Sequence, residues 1–219
     1  MNTKDTVIFD LDGTLLDTLD DLAGSANYAL EQMGYPPRTR SEVRSFVGNG
    51  IANLITRCLP EGTDRESFEK TLAIFKEHYG AHCNDLTRPY DGIQELTDLL
   101  LEKNIKMAIV SNKADFAVKE LARIYFKGSI PVAIGEMESQ GIRKKPAPDT
   151  VFKALELLGS RAGDSVYVGD SEVDIKTAAN AGMDLVLCSW GFRDEEYLKS
   201  LGAKTIIHTP LELAERIIH

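Results

Sequence analysis

The chain has 219 residues, of which 43% are hydrophobic and 27% charged, a composition typical of a soluble globular protein. Its formal net charge is −9, which argues against a basic surface for nucleic acid or for anionic membranes. No apolar run reaches the roughly 18 residues that a transmembrane helix needs, and no signal peptide is recognisable, so we expect a cytoplasmic protein.

The predicted elements begin with a short apolar strand, Thr6–Leu11, rich in β-forming residues. From about Asp17 to Asp85 no convincing strand follows. Four helices separated by Gly- and Pro-containing breaks are predicted there instead: Thr18–Met33, Ser41–Phe46, Ile51–Leu59 and Asp64–His82.

Beyond this stretch, strands and helices alternate. The predicted strands are Lys106–Val110, Ile130–Ile134, Ser165–Val168, Asp184–Cys188 and Thr205–Ile207. The predicted helices are Gly92–Lys103, Asp115–Tyr125, Thr150–Leu158, Asp174–Ala181 and Leu211–Ile218. The alternation predicts an α/β fold with a doubly wound, Rossmann-like parallel sheet. Residues 1–16 and 87–219 would form this core, and residues 17–86 an inserted all-helical domain. The two crossings, near Leu16–Thr18 and Asn84–Pro89, would form a hinge.

Several predicted strands end in polar or charged residues, and ligands of open α/β sheets bind at the carboxyl ends of strands. The first strand ends in Asp10-Leu11-Asp12-Gly13-Thr14. Residues i and i+2 of an extended segment point the same way, so Asp10 and Asp12 should face one site. The alternative is a solvated strand end followed by a turn, since Asp and Gly are common in turns.

A second acidic pair, Asp170 and Asp174, follows the strand Ser165–Val168. Helix capping by Asp170 or Ser171 is the alternative, but capping explains one acid and not two. Four carboxylates at neighbouring strand ends carry a charge of −4, which Lys145 and a divalent cation would reduce to −1. An all-oxygen ligand set suits Mg²⁺ better than zinc.

Ser111 and Lys145 are predicted to reach the same edge of the sheet. Each has an ordinary alternative: Ser111-Asn112 is a common turn after a strand, and Lys145 can be a solvated loop lysine before a helix. Three scattered cysteines without CxxC spacing are expected to be buried free thiols: Cys58, Cys83 and Cys188. His78 and His82 are four residues apart, but an exposed polar helix face is expected there rather than a metal site.

The ordered motifs DxDGT from Asp10, Ser111-Asn112, Lys145-Pro146 and GDSxxD ending at Asp174 resemble the four-motif signature of the haloacid dehalogenase superfamily. The helical insert resembles the mobile cap of that superfamily's first cap class. Within the superfamily, Gly48-Asn49-Gly50, KPAPD and the run VGDSEVDIKTAANAGM resemble phosphoglycolate phosphatases. The stretch Phe126–Glu138 departs from the Asp- or Gly-rich loop expected there.

The resemblance implies a magnesium-dependent phosphomonoester hydrolase that acts through an aspartyl phosphate on Asp10. It makes Asp12 the acid and base for the leaving group and for water. Lys145 and the Ser111 hydroxyl would hold phosphoryl oxygens, and backbone N–H groups near Leu11, Asp12 and Asn112 would complete the clamp. Thr14 and Asn112 are counted among the substrate-binding residues. Mg²⁺ would be held by Asp10, the Asp12 main-chain carbonyl and Asp170, with Asp174 in support.

The implied cap would supply substrate specificity and exclude water when closed. Its loop, Gly48, Asn49 and Gly50, precedes a helix whose N-terminus could receive a small carboxylate. Arg44 and Arg57 are candidate partners for that anion, and surface arginines beside a plain turn are the alternative.

The expected partner is a small phosphorylated metabolite, best matched by 2-phosphoglycolate, and neither nucleic acid nor a membrane; the chain would be a monomer or a homodimer. Another small-substrate phosphatase or a phosphomutase of the same superfamily would retain all four motifs. A receiver-type phosphoacceptor domain also gathers acids, a hydroxyl and a lysine around Mg²⁺. It needs no helical insert and no acid two residues after the nucleophile. A non-catalytic binding protein is disfavoured because no motif position is missing.

Overall fold

The computed structural model describes residues 4–218. Its strands are β1 (Thr6–Phe9), β2 (Leu16–Asp17), β3 (Arg88–Pro89), β4 (Lys106–Ala114), β5 (Val132–Glu136), β6 (Ser165–Gly169), β7 (Asp184–Cys188) and β8 (Ile206–Ile207). Six of them form one parallel sheet in the order β5-β4-β1-β6-β7-β8. The other two, β2 and β3, pair with each other where the chain leaves and re-enters the core.

The helices are α1 (Leu19–Gln32), α2 (Arg40–Phe46), α3 (Ile51–Cys58), α4 (Arg65–His82), α5 (Ile93–Glu102), α6 (Asp115–Tyr125), α7 (Asp149–Leu158), α8 (Glu172–Ala181), α9 (Glu195–Ser200) and α10 (Leu211–Ile217). Two short 3₁₀ turns, Glu138–Gln140 and Ala162–Asp164, complete the elements. The chain divides into two compact units, residues 1–16 with 89–219 and residues 17–88. The sequence analysis predicted that the helical unit ends at residue 86, two residues before the end found in the structure.

The central strand β1 is buried on both faces, and successive side chains enter opposite cores. Val7 and Phe9 pack in a cluster with side chains from α5, α6 and α10. Ile8 packs in a second cluster with α7 and α8. This arrangement explains the uninterrupted apolar run in the sequence, and it confirms the predicted α/β class.

Several strand bounds differ from the sequence prediction, among them those of β5, which spans Val132–Glu136 and not Ile130–Ile134. Two of the differences lie beside predicted site residues. Strand β1 stops at Phe9 and not at Leu11, because the Leu11 amide donates to the Asp10 carboxylate (2.7 Å) instead of to a neighbouring strand. Strand β4 does not stop at Val110: after a register shift it pairs again with β5 at Ala114. Ser111-Asn112 is therefore strand backbone and not the turn considered as an alternative. Helix α9 was not predicted.

The unit formed by residues 17–88 contains helices α1 to α4, as the sequence predicted for the insert. Its chain ends are tied together by Asp21 of α1, whose buried carboxylate accepts from the Leu86 amide, the Thr87 amide (2.8 Å) and the Thr87 hydroxyl (2.7 Å). Among the described residues, no helix is long and apolar enough to cross a membrane. The cytoplasmic location stays a prediction.

Candidate active site

Three of the predicted site residues of the core lie at or just after the carboxyl ends of three adjacent strands. Strand β1 lies between β4 and β6, and Phe9 is in register with Ile109 on one side and Val168 on the other. The residues just beyond this level therefore share one edge of the sheet: Asp10, Ser111 and Asp170. The strand order runs outward in opposite directions from β1, which is the position where α/β sheets open a crevice for ligands.

Lys145 occupies the centre of this edge, with 2% of its side chain exposed. Its Nζ atom lies 2.9 Å from Asp10 Oδ1 and 2.9 Å from Asp174 Oδ1. It also donates to the Tyr167 hydroxyl at 3.0 Å. Burial alone would lower the Lys145 pKa, but the charges of Asp10 and Asp174 outweigh it and hold the pKa above its usual range. Lys145 is therefore a buried cation, whereas neighbouring Lys144 pairs with Glu138.

Three buried carboxylates gather around this lysine. Oxygen atoms of Asp10, Asp170 and Asp174 all lie within 4.8 Å of one another. Burial raises the pKa of Asp10 to about 7 against the opposing charge of Lys145. Burial, followed by the charges of Asp174 and Asp10, raises the pKa of Asp170 well above its usual range. Burial also acts to raise the Asp174 pKa, but Lys145 and Ser171 outweigh it and leave the pKa below normal.

The raised pKa values of Asp10 and Asp170 show that the protein's own cations do not fully neutralise the three carboxylates of the cluster. A divalent cation would favour the ionised forms of Asp10 and Asp170. Clustered carboxylate oxygens are the donor set that Mg²⁺ prefers. The residues present therefore fit the predicted metal, and this is the one group of three or more potential ligands within residues 4–218.

Asp170 is fixed by close backbone contacts. Its Oδ2 atom accepts from the Phe192 amide at 2.6 Å. Gly13 adopts φ +82°, and a Cβ at Gly13 would lie 2.5 Å from that same oxygen. A Cβ at Gly191 would likewise collide with the Asp170 side chain. Glycine at these two positions lets two backbone segments close around one carboxylate.

Asp174 has a structural role as well as a place in the cluster. Its Oδ2 atom accepts from the Ser171 amide (3.1 Å) and hydroxyl (2.6 Å), and Ser171 is the N-cap of α8. Helix α8 consequently begins at Glu172, two residues before the predicted start. The capping alternative thus holds for Ser171, while Oδ1 of Asp174 still binds Lys145.

Asp12 pairs with a residue to which the sequence analysis gave no role. Lys113 Nζ lies 2.8 Å from Asp12 Oδ1, and its side chain is 2% exposed. Ser111, also buried, accepts from the Lys113 amide at 3.2 Å. The Asn112 side chain donates to the Lys145 carbonyl at 2.9 Å and so holds the segment that carries Lys145.

Two buried side chains of the site were missed from the sequence. Tyr167 lies within the apolar run of β6, and its hydroxyl contacts Lys145 and, at 3.2 Å, Asp174; nothing in that run signals such a contact. Lys113 did carry a signal. It follows Ser111 by two residues, so on an extended strand it shares the face of Ser111.

The remaining predicted residues lie outside this cluster of contacts. Thr14 is buried in the turn after β1, where its carbonyl accepts from the Trp190 indole at 3.0 Å. Gly48, Asn49 and Gly50 have positive φ angles of 134°, 60° and 89°, and Gly50 is the N-cap of α3. Arg57 donates to the Phe46 carbonyl at 2.9 Å within the helical unit. The substrate-binding roles of these residues, and that of Arg44, stay predictions.

The cysteines agree with the ordinary interpretation, whereas His78 and His82 do not form the exposed polar helix face that was expected, because the His78 ring is half-buried. Cys58, Cys83 and Cys188 are buried and free. The His78 ring stacks on Tyr28 and on His82, and its Nδ1 atom lies 3.0 Å from Ser25 Oγ. Tyr28 lies on α1 and both histidines lie on α4, so the stack of rings joins these two helices.

A family model described as haloacid dehalogenase-like hydrolase matches residues 7–188. A phosphoglycolate phosphatase of Neisseria meningitidis is 35% identical over 193 residues, which cover 86% of this chain and 81% of that protein. A phosphoglycolate phosphatase of Aquifex aeolicus is 32% identical, with 85% of each chain covered. These findings confirm the family and the enzyme class to which the motifs pointed.

Solved structures agree over nearly the whole length. A crystal structure from Lactobacillus delbrueckii subsp. bulgaricus, provisionally assigned as a phosphoglycolate phosphatase, superimposes with a TM-score of 0.93 at 37% identity, covering 98% of both chains. A haloacid dehalogenase-like hydrolase of Streptococcus pneumoniae has a TM-score of 0.87 at 20% identity and covers 99% of both chains. The second likeness concerns the fold alone.

Proposed function

Because the chain belongs to the haloacid dehalogenase-like hydrolase family, we propose that it hydrolyses a small phosphomonoester with Asp10 as the nucleophile. The observation that carries this proposal is the buried Asp10 carboxylate, held 2.9 Å from Lys145 beside Asp170 and Asp174. Phosphoryl transfer needs positioning and charge stabilisation more than covalent chemistry, and this cluster supplies both.

In the first step, a carboxylate oxygen of Asp10 attacks phosphorus and the bond from phosphorus to the ester oxygen breaks. The product is an aspartyl phosphate on Asp10, and the departing alkoxide takes a proton from Asp12. In the second step, Asp12 accepts a proton from water, which attacks the phosphoryl group and regenerates the Asp10 carboxylate. Lys145 and the Ser111 hydroxyl bind phosphoryl oxygens throughout.

Magnesium would be held by the carboxylates of Asp10 and Asp170 and by the Asp12 main-chain carbonyl. Asp174 would act in support, because its two oxygens already bind Lys145 and the start of α8. When bound, the cation offsets the negative charge of the carboxylates and of the phosphoryl group. Lys145 offsets one further charge and keeps Asp10 oriented.

We propose 2-phosphoglycolate as the substrate. Support comes from the relatives named phosphoglycolate phosphatase, which match 85–86% of this chain. Another small phosphomonoester is the alternative, as is phosphomutase activity, which would use the same four motifs. A receiver-type domain does not need the acid and base that we assign to Asp12, because a signalling domain keeps its phosphoryl group whereas a phosphatase releases it.

The loop Gly48–Gly50 is our candidate for binding the substrate carboxylate, because it leads into the N-terminus of α3. Replacing Asn49 with Ala is expected to raise KM for 2-phosphoglycolate. The same change should leave KM for 4-nitrophenyl phosphate, which has no carboxylate, unaltered. An equal change in both KM values would contradict this assignment.

The central experiment is a panel of phosphomonoesters assayed with Mg²⁺, with EDTA, and with Asp10→Asn. We expect hydrolysis to disappear in EDTA and in the variant, and a matched control, Asp98→Asn on the exposed face of α5, to retain it. Hydrolysis that persists in EDTA or in the Asp10→Asn variant would contradict the mechanism. Turnover of 2-phosphoglycolate no better than that of an aryl phosphate would remove the substrate assignment. A stable phosphoprotein with little turnover would favour the receiver-type alternative.

A further inference from the structure

We propose that Lys113 is a positioning residue that orients the Asp12 carboxylate toward the leaving group. The inference rests on the proposed phosphatase function and assigns a role to a residue outside the four motifs. Lys113 Nζ and Asp12 Oδ1 are 2.8 Å apart, and the side chains are 2% and 16% exposed. Lysines are rarely buried this deeply unless they are paired with an acid, so the ion pair with Asp12 is what accommodates Lys113 in the site.

Backbone geometry places Lys113 for this task. It lies near the end of β4, beside the strand β1 that leads into Asp12. Its amide donates to the Ser111 hydroxyl oxygen at 3.2 Å. One residue therefore links, through its main chain and its side chain, the phosphate-binding serine and the leaving-group acid.

The pairing has a chemical consequence for Asp12. The ammonium group of Lys113 binds Oδ1 of Asp12, so in this orientation Oδ2 is the oxygen that exchanges a proton with the leaving group. Lys113 thereby holds the carboxyl group in one orientation, with Oδ2 as the donor. As the ester bond breaks, the Oδ2–H bond breaks with it, the alkoxide gains the proton, and the carboxylate left behind keeps its pairing with Lys113.

Leaving-group dependence separates this role from simple structural support. An alkoxide needs a proton to depart, whereas 4-nitrophenolate leaves without one. The value of kcat/KM reports the steps up to departure of the leaving group, so later steps do not obscure the comparison. Glycerol 2-phosphate is a suitable alkyl ester because it has no carboxylate that Lys113 could bind directly.

We expect Lys113→Met to lower kcat/KM for glycerol 2-phosphate by about 10- to 100-fold, in line with the usual contribution of general acids. For 4-nitrophenyl phosphate we expect a loss below about threefold by the same reasoning. Lys113→Arg, which keeps the charge, should recover most of the loss. In the double variant with Asp12→Asn, kcat/KM should be no lower than in Asp12→Asn alone, since residues that act as one unit are not additive.

The matched control is Lys4→Met. Lys4 is another buried lysine of the core, paired with Asp184 at 2.7 Å, and it precedes β1 where Asp12 follows it. Its loss should affect both esters equally. Equal losses on both esters in Lys113→Met, or additive losses in the double variant, would overturn the positioning role while leaving the phosphatase proposal intact. A wild-type protein inert toward every phosphomonoester would instead overturn the proposed function, and this inference with it.

Discussion

Lys145 Nζ lies 2.9 Å from Asp10 Oδ1, so the proposed nucleophile and a permanent cation form a buried pair. The pair resists the effect of burial, which raises the Asp10 pKa to about 7. Asp174 binds the same ammonium group from the other side. Lys145 thus connects the first motif of the chain with the last.

Replacing Lys145 with Met should reduce kcat/KM for phosphomonoesters by at least about 100-fold, because phosphoryl charge is no longer compensated in a buried site. The control is Lys144→Met, which removes the neighbouring lysine that pairs with Glu138 in the loop. Steady-state kinetics on both variants provide the measurement. Comparable activity in the two variants would show that Lys145 does not bind the transferring group.

Stability should depend on pH and Mg²⁺ together. The folded-state pKa of Asp10 is raised from 3.8 to about 7, and that of Asp170 is raised as well. Over that pH window the unfolded chain loses a proton that the native carboxyl keeps, so the metal-free protein loses stability as pH rises. Mg²⁺ replaces those protons, and its stabilising effect should be larger at about pH 8 than at about pH 5.

Thermal unfolding with Mg²⁺ or EDTA at both pH values tests this expectation. Asp170→Asn, which removes a predicted ligand, should reduce the increase in Tm that Mg²⁺ produces. An increase of the same size at both pH values would argue against displacement of protons by the cation.

Gly13→Ala should impair the site without a large change in side-chain volume. The added Cβ would lie 2.5 Å from Asp170 Oδ2, and the residue would also be strained at φ +82°. We expect activity to fall by at least about tenfold, and the Mg²⁺ concentration at half-maximal activity to rise, because Asp170 must move. Gly163→Ala is the control, since a Cβ there has open space. Normal Mg²⁺ dependence in Gly13→Ala would mean that Asp170 does not hold the metal.

In the helical unit, Asp21→Ala should increase the mobility of the segment Leu86–Thr87, which Asp21 binds. The amides of Leu86 and Thr87 would lose their shared acceptor, at a cost of about 1–3 kcal/mol for the Thr87 amide, which is the buried donor of the two. Hydrogen exchange at these two amides is expected to accelerate. Asp20→Ala, which removes a partly exposed pairing with Arg40, should leave their exchange rates close to wild type. Unchanged protection in Asp21→Ala would contradict the role of Asp21.

The sequence predicted the sheet, the helical insert and the order of the acidic motifs, because apolar runs and strand-end polar residues are local signals. It could not predict that Ser111 and Lys113 lie within β4, since strand pairing near Ala114 depends on β5, a distant segment. Nor could it reveal the contact between Tyr167 and Lys145. That contact needs a side chain in the middle of an apolar strand to meet a loop 22 residues away.

The Asp10–Lys145 relationship illustrates the same limit. Strand order and motif spacing bring both residues to one edge, but neither gives a distance or a burial. The two capping partners of α8 illustrate the converse. Ser171 and Asp174 are three residues apart, so capping could be considered from sequence alone, whereas the simultaneous contact of Asp174 with Lys145 could not.

The two carboxylate oxygens of Asp174 have different partners, one in helix α8 and one in the candidate active site. Oδ2 secures the first turn of α8 and Oδ1 secures Lys145, so fraying of that turn would also loosen the lysine. The start of α8 is therefore poorly suited to conventional helix-capping redesign. A substitution at Asp174 chosen to favour helix formation would also remove a counter-charge of the buried Lys145, so any gain in helix stability would be offset by the loss of that pair.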